Sequence, residues 1–368
     1  MTETVKTVTH QKIVLAMIVK NEEDVLARCL ASVKPLESHW IVVDTGSTDR
    51  TREIAREAMA GVPGEVIDRP WKNFGHNRTE ALALAREHGE YTLVVDADDT
   101  LELAPDFELP ELELDSYLVP IRYGPISYDR VQLLRNDKAW RYDGVIHEYP
   151  ASDSAKTQGR VSHGLTYVIS NEGARAKNPD RFRHDAMLIE EALKAEPENR
   201  RYVFYLGQSY RDALMPAQAL AAYERRSTMG GWDEEVYNSL YEAARLREQL
   251  KQPFDTVHAA YLKAYEFRPR RAEALCELAR YCRQQKRFAL GRAYALAASQ
   301  TPRPNDALFV GDAVYTWRAK DELAVSAYHC GDRALARRIN EELLASGVVP
   351  SADRPRIEDN LRWCQKAA

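Results

Sequence analysis

Several features that would place the protein outside the ordinary soluble globular class are missing from its sequence. It has no run of apolar residues long enough to span a bilayer, and residues 1–11 contain no apolar segment of the kind found in secretion signals. Its five cysteines include no Cys-x-x-Cys pair, which indicates reduced thiols rather than a disulfide framework. The net charge of −5 argues against a general binder of nucleic acids or membrane surfaces. These absences predict a soluble, cytoplasmic protein without a membrane partner.

Two common nucleotide-binding loops are also missing. The absence of a Gly-x-Gly-x-x-Gly and of a Walker sequence argues against a Rossmann dehydrogenase and a P-loop kinase. Short apolar strands nevertheless alternate with helical patterns through the first part of the chain. The strands are predicted at Ile13–Val19, Trp40–Val43, Glu65–Ile67 and Tyr91–Val95. This alternation predicts a parallel sheet that is covered by helices on both faces.

The last of these strands runs directly into the acidic sequence Asp96-Ala97-Asp98-Asp99. In open α/β sheets, ligands lie just beyond the carboxyl ends of the strands. Carboxylates at such a place suit Mg²⁺ or Mn²⁺ bound together with substrate phosphates. An acidic loop that caps a helix is the simpler alternative. Asp44, at the end of the second strand, also has two interpretations: a helix-capping acid, or an acceptor for a base or ribose.

Four segments of this half resemble the signatures of glycosyltransferase family 2, and they occur in the family's order. They are Met17-Ile18-Val19-Lys20-Asn21-Glu22, Asp44-Thr45-Gly46-Ser47-Thr48-Asp49-Arg50-Thr51, Phe74-Gly75-His76-Asn77-Arg78-Thr79-Glu80-Ala81-Leu82 and Asp96-Ala97-Asp98-Asp99. Any one of these segments alone would be a weak signal. The resemblance implies a GT-A fold and a donor site for a UDP-sugar.

The resemblance also implies roles for individual residues. Asp44 and the turn around Asn21 hold the uridine, Arg78 approaches the diphosphate, and Asp98 carries the metal. The expected donor-site residues are Val19, Asn21, Glu22, Asp44, Gly46, Arg78, Asp96 and Ala97. The implied cofactor is Mn²⁺ or Mg²⁺, which would neutralise the leaving diphosphate as a Lewis acid.

A second candidate segment is Trp140-Arg141-Tyr142-Asp143-Gly144-Val145-Ile146-His147-Glu148. It resembles the aromatic-x-Gly-x-x-His-Glu motif of family members that carry tetratricopeptide repeats, so that His147 joins Asp96 and Asp98 as an expected metal contact. An ordinary surface or core His–Glu pair is the alternative. Inverting sugar transfer needs a carboxylate that takes the proton of the acceptor, and Glu148 and Asp143 are the candidates. We favour Glu148 because it is adjacent to the expected ligand.

The second half of the chain is rich in Ala and Leu and is typical of a series of helices. A tetratricopeptide-like repeat is indicated by small residues that recur at equal steps, each followed three positions later by a larger one. These pairs are Gly207 with Tyr210, Ala243 with Leu246, and Ala279 with Cys282. A fourth unit near Leu323 is displaced by an insertion that contains Pro302 and Pro304. An irregular helical bundle is the alternative.

Together these features predict a GT-A-like α/β domain over residues 11–170 and an all-α, tetratricopeptide-like domain over residues 171–368. The segment 161–175 is either a linker or an active-site lid. The expected activity is inverting, metal-dependent transfer of a sugar from a UDP-sugar, with a peptide or protein as the favoured acceptor, selected partly by the repeats. A small molecule, a glycan or a modified nucleic-acid base is an open alternative as acceptor. Nucleotidyl transfer and a non-enzymatic repeat scaffold are rival functions, and the repeats are a candidate surface for a homodimer.

Overall fold

The computed structural model of the protein describes residues 11–105, 107–124, 126–161 and 164–365. Residues 1–10, considered above for a secretion signal, lie outside this part of the chain. The chain divides into two compact units, of which the first ends at Ala192 and the second begins at Leu193. This division comes later than the 170/171 boundary expected from the sequence, because the chain continues to pack on the first unit after residue 170.

The first unit is built on a mixed sheet. Its strands are β1 Ile13–Val19, β2 His39–Asp44, β3 Gly64–Asp68, β4 Tyr91–Val94, β5 Thr100–Leu103, β6 Ser116–Tyr123, β7 Ile126–Arg135, β10 Gln158–Arg160 and β11 Leu165–Val168, while β8 Arg141–Asp143 and β9 Tyr149–Ala151 form a separate antiparallel pair. The strand order is β3-β2-β1-β4-β7-β6-β11-β5, with β10 beside β6.

The prediction of a parallel sheet holds only for the first four strands. They pair in parallel, whereas β7 pairs antiparallel with both β4 and β6. Strands β6 and β7 follow one another too closely for the crossover connection that parallel pairing requires. The carboxyl ends of β1, β2 and β4 still meet at one edge of the sheet, as the sequence predicted.

Helices cover both faces of the sheet, with α1 Leu26–Val33 and α2 Thr51–Ala58 on one face and α3 Phe74–Ala85 on the other. Two further helices, α4 Ala174–Lys177 and α5 Arg181–Ala195, follow the last strand. Strand β1 is buried on both sides, since Leu15 and Met17 pack in a core with Leu30 of α1, and Val14 packs in a second core with Leu82 of α3. A strand buried on both faces reads as a continuous apolar run, which is why its position could be predicted.

The second unit consists of antiparallel helices that pack consecutively along the chain. They are α6 Arg200–Asp212, α7 Pro216–Thr228, α8 Asp233–Gln249, α9 Phe254–Phe267, α10 Glu273–Gln284, α11 Phe288–Gln300, α12 Ala319–His329, α13 Arg333–Ser346 and α14 Arg354–Gln365, with a π-helical turn at Val314–Arg318. The repeated small residues Gly207, Ala243 and Ala279 lie in α6, α8 and α10 and are buried. Gly207 needs to be small, because an added Cβ would lie 2.9 Å from the ring of Tyr223 in α7. The predicted helical-repeat fold is confirmed.

Within the described residues, no helix combines the length and the apolar character that crossing a bilayer would demand.

Candidate functional site

The turns that follow β1 and β2 are joined by side-chain hydrogen bonds. The N–H of Asn21 donates to Oγ of Ser47 at 2.9 Å, and Oδ1 of Asn21 accepts the N–H of Thr48 at 2.8 Å. Asn21 adopts a left-handed φ of 57°, a conformation that asparagine tolerates better than most residues do. The structure therefore brings the predicted Asn21 and Asp44 turns together at the edge of the sheet.

Asp44 is completely buried at the end of β2. Its Oδ1 accepts the N–H groups of Gly46 and Ser47 at 2.9 and 2.8 Å and pairs with Arg52 at 2.9 Å, whereas its Oδ2 has no hydrogen-bond partner. Gly46 has a φ of 110°, which suits glycine in this tight turn. A buried acceptor without a partner costs free energy, and such a group in a native structure points to a ligand or a water. Arg52 is a site residue that the sequence did not reveal.

Asp96, Asp98 and Asp99 follow β4 and form what we call the acidic strand end. Asp96 lies two residues after the strand and is surrounded by positive charge. Its carboxylate pairs with Arg78 of α3 and lies 3.6 Å from Arg130 of β7. Its N–H donates to the hydroxyl oxygen of Tyr167 at 2.9 Å. Burial opposes ionisation of Asp96, but Arg78 and then Arg130 outweigh burial, so that the pKa of Asp96 lies below its usual value. Asp96 is therefore ionised and already neutralised by protein groups.

Among the described residues, the carboxylates of Asp98 and Asp99 form no ion pair and are bonded instead to the backbone of residues 170–173. Arg28 lies nearby but donates to the backbone carbonyl oxygen of Asp98 at 3.1 Å. Asp98 Oδ2 accepts the N–H of Gly173 at 3.2 Å, and Asp99 Oδ1 accepts the N–H of Ser170 at 2.9 Å. Burial, followed by repulsion from Asp96, raises the pKa of Asp98 and raises the pKa of Asp99 to about 7. Gly173 must be glycine for this approach, since a Cβ would lie 2.9 Å from Asp98 Oδ2.

The described residues of the segment 161–175, which the sequence left open as a linker or a lid, include several that contact the site. Part of it is strand β11, and its later residues lie on the acidic end of β4. Ala174 continues these contacts, because its N–H donates to Oε2 of Glu22 at 3.1 Å. Chiefly through burial, and also through repulsion from Asp98, the pKa of Glu22 is raised to about 7 despite this hydrogen bond.

Arg78 connects the acidic strand end to the second predicted segment. Its Nε donates to Oε1 of Glu148 at 2.6 Å, while its Nη2 binds Asp96, and the side chains of Arg78 and Glu148 are only 13% and 10% exposed. The close approach of α3 to this segment depends on Gly75, where a Cβ would collide with the carbonyl oxygen of Gly144. The two motifs that the sequence singled out separately therefore form one cluster.

The other two candidates of this segment are placed differently. Asp143 belongs to β8, and its half-exposed carboxylate pairs with Arg141 at 2.9 Å. His147 is exposed and has a left-handed φ of 51°. Throughout the residues that the structure describes, no three His, Cys, Asp or Glu side chains form a group that could hold a metal. The expected set of Asp96, Asp98 and His147 is thus not assembled here.

The chemistry of the acidic strand end nevertheless fits a divalent cation. Asp96, Asp98 and Asp99 repel one another, and this repulsion contributes to the raised pKa values of the last two. A bound cation would relieve that repulsion, and carboxylate oxygens are the ligands that Mg²⁺ and Mn²⁺ prefer. Asp98 is the better placed ligand, because Asp96 is already paired with arginine.

The first unit contains a cleft of about 780 Å³ that Glu22 lines, whereas Asp44, Asp96, Asp98 and Asp99 are not among the residues that line it. The end of β1 and the turns after β1 and β2 contribute Val19, Asn21, Glu22 and Thr45. The first residue of α3 and the segment before it contribute Phe74 and Trp71, and α4 and α5 contribute Arg175, His184 and Asp185. Arg175 is held by Asp185 at 2.6 Å, and its guanidinium lies 4.9 Å from the ring centroid of Phe74. The volume is in the range of small-molecule sites.

The sequence missed Arg130, Tyr167 and Arg175 at this site. Arg130 is one of several charged residues in β7, and no local pattern distinguishes it from its exposed neighbours. Tyr167 and Arg175 lie in the segment whose role was left open. The predicted cofactor-binding residues Val19, Asn21 and Glu22 do line the cleft.

Comparison with known proteins agrees with this geometry. Residues 14–110 match the model of Glycosyl transferase family 2. The first unit therefore contains a family 2 glycosyltransferase domain. Glycosyltransferase SunS of the Bacillus subtilis SPbeta prophage is 26% identical over 208 residues, which are 53% of this chain and 48% of SunS. A TPR repeat-containing protein of Synechococcus elongatus is 38% identical over 143 residues, covering 36% of this chain and 34% of that protein.

The chain thus spans about half of SunS and a third of the Synechococcus protein. Among solved structures, MamA matches 45% of this chain and 88% of its own length at a TM-score of 0.38 and 14% identity. YrrB, described as a TPR protein with an unusual peptide-binding site, matches 49% of this chain and 84% of its own at a TM-score of 0.38 and 12% identity. The helix pairs described above, rather than these distant matches, identify the repeat fold.

Proposed function

We propose that the protein is an inverting, metal-dependent glycosyltransferase that moves a sugar from a UDP-sugar to a peptide or protein. The observation that carries this proposal is the cleft at the carboxyl ends of β1 and β2 in a family 2 domain. This cleft is lined by Glu22 and by Ala174, whose neighbour Gly173 donates to Asp98. Ligands of open α/β sheets bind at this edge. The proposal extends the family assignment to a donor, a cofactor and an acceptor.

In this proposal the uridine lies at the Asn21 and Asp44 turns. Oδ2 of Asp44 is buried and has no hydrogen-bond partner. A hydrogen-bond donor of the ligand would satisfy this oxygen once the side chains that cover it move aside. Asp98, with Asp96, would hold Mn²⁺ or Mg²⁺, which supplies charge neutralisation for the departing diphosphate. His147 is exposed, so it would reach the cation only after a shift of the segment that contains it.

Glu148 is the proposed base for the acceptor. Its carboxylate is held by Arg78 at 2.6 Å in a buried ion pair. If Arg78 turns towards the diphosphate, the Glu148 carboxylate is released from this partner and can accept a hydrogen bond from the acceptor. Asp143 keeps its separate partner Arg141.

A thermal-shift panel tests the donor and the cation. The full chain is heated with UDP, UDP-sugars and nucleoside triphosphates, each with and without Mn²⁺. A ligand that binds only the folded state at about 100 times its Kd adds about 2.7 kcal/mol of stability. We expect stabilisation by UDP or a UDP-sugar that needs Mn²⁺ and is lost in Asp98→Asn. Asp137→Asn, an exposed acid at the end of β7 that pairs with Arg135, is the matched control.

The outcomes separate the rival functions. A response to no nucleotide contradicts the transferase proposal and favours a repeat scaffold, and a response to nucleoside triphosphates alone favours nucleotidyl transfer. The acceptor is tested by UDP release in the presence of peptides with Ser, Thr, Cys or Asn, compared with free monosaccharides. Under these conditions Glu148→Gln should abolish release and Asp143→Asn should not.

A further inference from the structure

The insertion between α11 and α12 crosses the repeat unit as an extended segment. Residues 302–311 contain neither helix nor strand, yet they bond to helices that lie far away in the sequence. Their partners are on α8 and α10 and on the turn that precedes α10. The insertion that displaced the fourth predicted repeat therefore lies across the earlier repeats instead of projecting from the unit.

The helices hold this segment mainly by its backbone. Glu234 accepts the N–H groups of Ala307 and Leu308 at 2.9 and 2.7 Å, Glu273 accepts the N–H of Gly311 at 3.0 Å, and Arg271 donates to the carbonyl oxygens of Leu308 and Phe309 at 3.0 and 2.9 Å. Backbone groups are the same in every peptide, so these contacts do not depend on the sequence of the segment that makes them. Side chains that read a backbone in this way form a site for an extended chain.

Two side chains of the segment are also recognised. The carboxylate of Asp306 is 3% exposed and lies within 2.6 Å of Arg268, 3.1 Å of Arg270 and 3.4 Å of Arg271. Hydrogen bonding from Arg268 lowers the pKa of Asp306, so the carboxylate is ionised. Two residues later, Leu308 packs against the apolar cluster of α6, α7 and α8. These contacts accommodate an acidic residue followed two positions later by an apolar one.

The backbone of the segment is strained at one residue where it lies on these helices. Phe309, next to Leu308, has a left-handed φ of 49°, a conformation that costs a bulky residue free energy. Its ring is 60% exposed and therefore contributes little packing in return. A separate peptide need not carry this strain.

We propose that this surface, formed by Glu234, Arg268, Arg271 and Glu273, is a binding groove for an extended acidic peptide, and that residues 304–311 occupy it in competition with such a peptide. Because the segment is covalently tethered next to the groove, its effective concentration there is high. It therefore acts as a gate that a free peptide must displace. The peptide displaces it by repeating its backbone bonds and its acidic and apolar anchors. This inference concerns the repeat unit alone and stands or falls independently of the transferase activity.

The test uses a fluorescein-labelled peptide with the sequence of residues 302–312, Pro-Arg-Pro-Asn-Asp-Ala-Leu-Phe-Val-Gly-Asp, added to the full chain. Asp306→Ala in the protein removes the main anchor of the gate and leaves the groove intact. Fluorescence anisotropy should show that this variant binds the probe about tenfold or more tightly than the unaltered chain does. Asp312→Ala is the control, since Asp312 is an exposed acid of the same segment that pairs with Arg303. A probe whose own aspartate at the Asp306 position is alanine should bind weakly to every variant.

Equal probe affinity for the Asp306→Ala variant and the unaltered chain would overturn the proposal, as would no binding to either. Because the variant can also fail to fold, hydrogen exchange of the unaltered chain provides a second measurement. A gate opens without unfolding of the helices, so the amides of residues 304–311 should exchange well before those of α8 and α10. Exchange of all three together would mean that the segment is a permanent part of the repeat unit.

Discussion

Replacing Arg78 with methionine gives the sharpest test of the candidate site. The substitution keeps a long, flexible side chain but removes the cation that joins Asp96 to Glu148. Removal of one partner from a buried ion pair costs about 3–5 kcal/mol, because the remaining charge stays buried without compensation. Arg130 still lies 3.6 Å from Asp96 and moderates the loss there, whereas Glu148 loses its short ion pair. We expect the first unit to lose about 3 kcal/mol at neutral pH.

The assay is hydrogen exchange of the β1 and β4 amides with increasing urea, followed by mass spectrometry. It reports the unfolding free energy of the first unit separately from that of the repeats. Arg86→Met is the control at the end of the same helix, where Arg86 is half-exposed and pairs with its neighbour Glu87. This control should change the free energy of unfolding by less than about 0.5 kcal/mol.

The pH dependence of the Arg78→Met deficit provides an independent check of its cause. The lowered pKa of Asp96 in the folded state contributes stability above the unfolded pKa, and this contribution is lost as the pH falls through the folded pKa. Without Arg78, the buried Asp96 carboxylate binds a proton more readily than in the unaltered chain. The deficit should therefore shrink as the pH falls from about 7 to about 4. A deficit that is absent at pH 7, or that is constant with pH, would refute the ionic arrangement.

Other substitutions test single contacts. Gly75→Ala should destabilise the first unit by about 1–3 kcal/mol in the same exchange assay, because its Cβ would collide with the backbone that faces α3. Glu22 has a raised pKa of about 7, chiefly through burial, so the folded state binds its proton more tightly and stability falls as the pH rises from 4.5 to 7. The unfolding free energy is measured as a function of pH in the presence of EDTA. For Glu22→Gln, its decline between these pH values should be smaller than in the unaltered chain by up to about 3 kcal/mol. Arg226→Met should cost the repeat unit about 3–5 kcal/mol in the exchange assay, because Arg226 is 1% exposed and pairs with Glu235 at 2.8 Å. Replacement of the exposed Arg337 is the control for the last experiment and should cost less than about 0.5 kcal/mol.

The parts of the fold that were predicted from the sequence are those with a local signal. Strand β1 appears as a continuous apolar run because both of its faces are buried. The repeat was detectable because Gly207, Ala243 and Ala279 recur with the period of the helix pairs. The antiparallel half of the sheet gave no such signal, since the choice between parallel and antiparallel partners for β7 depends on contacts with distant strands.

The candidate site shows the same limit residue by residue. Asp98 was predicted from its position after a strand, but its partner Gly173 is 75 residues away, and no pattern in either segment links the two. Arg78 and Glu148 were each identified by motif, yet their ion pair depends on the packing of α3 against the backbone at Gly144. Sequence motifs identified the chemical groups, while their pairing is a property of the tertiary structure.

The pairing decides how the charge at the acidic strand end is compensated. Asp96 has two arginines, whereas Asp98 and Glu22 have the N–H groups of Gly173 and Ala174, which are dipoles without net charge. Dipoles stabilise a carboxylate less than a cation does, which is consistent with a lowered pKa at Asp96 and raised pKa values at the other two. In the proposed site, a divalent cation therefore gains more from Asp98 than from Asp96, where it would compete with arginine. The uneven distribution of positive charge thus ranks Asp98 above Asp96 as a ligand of the proposed cation.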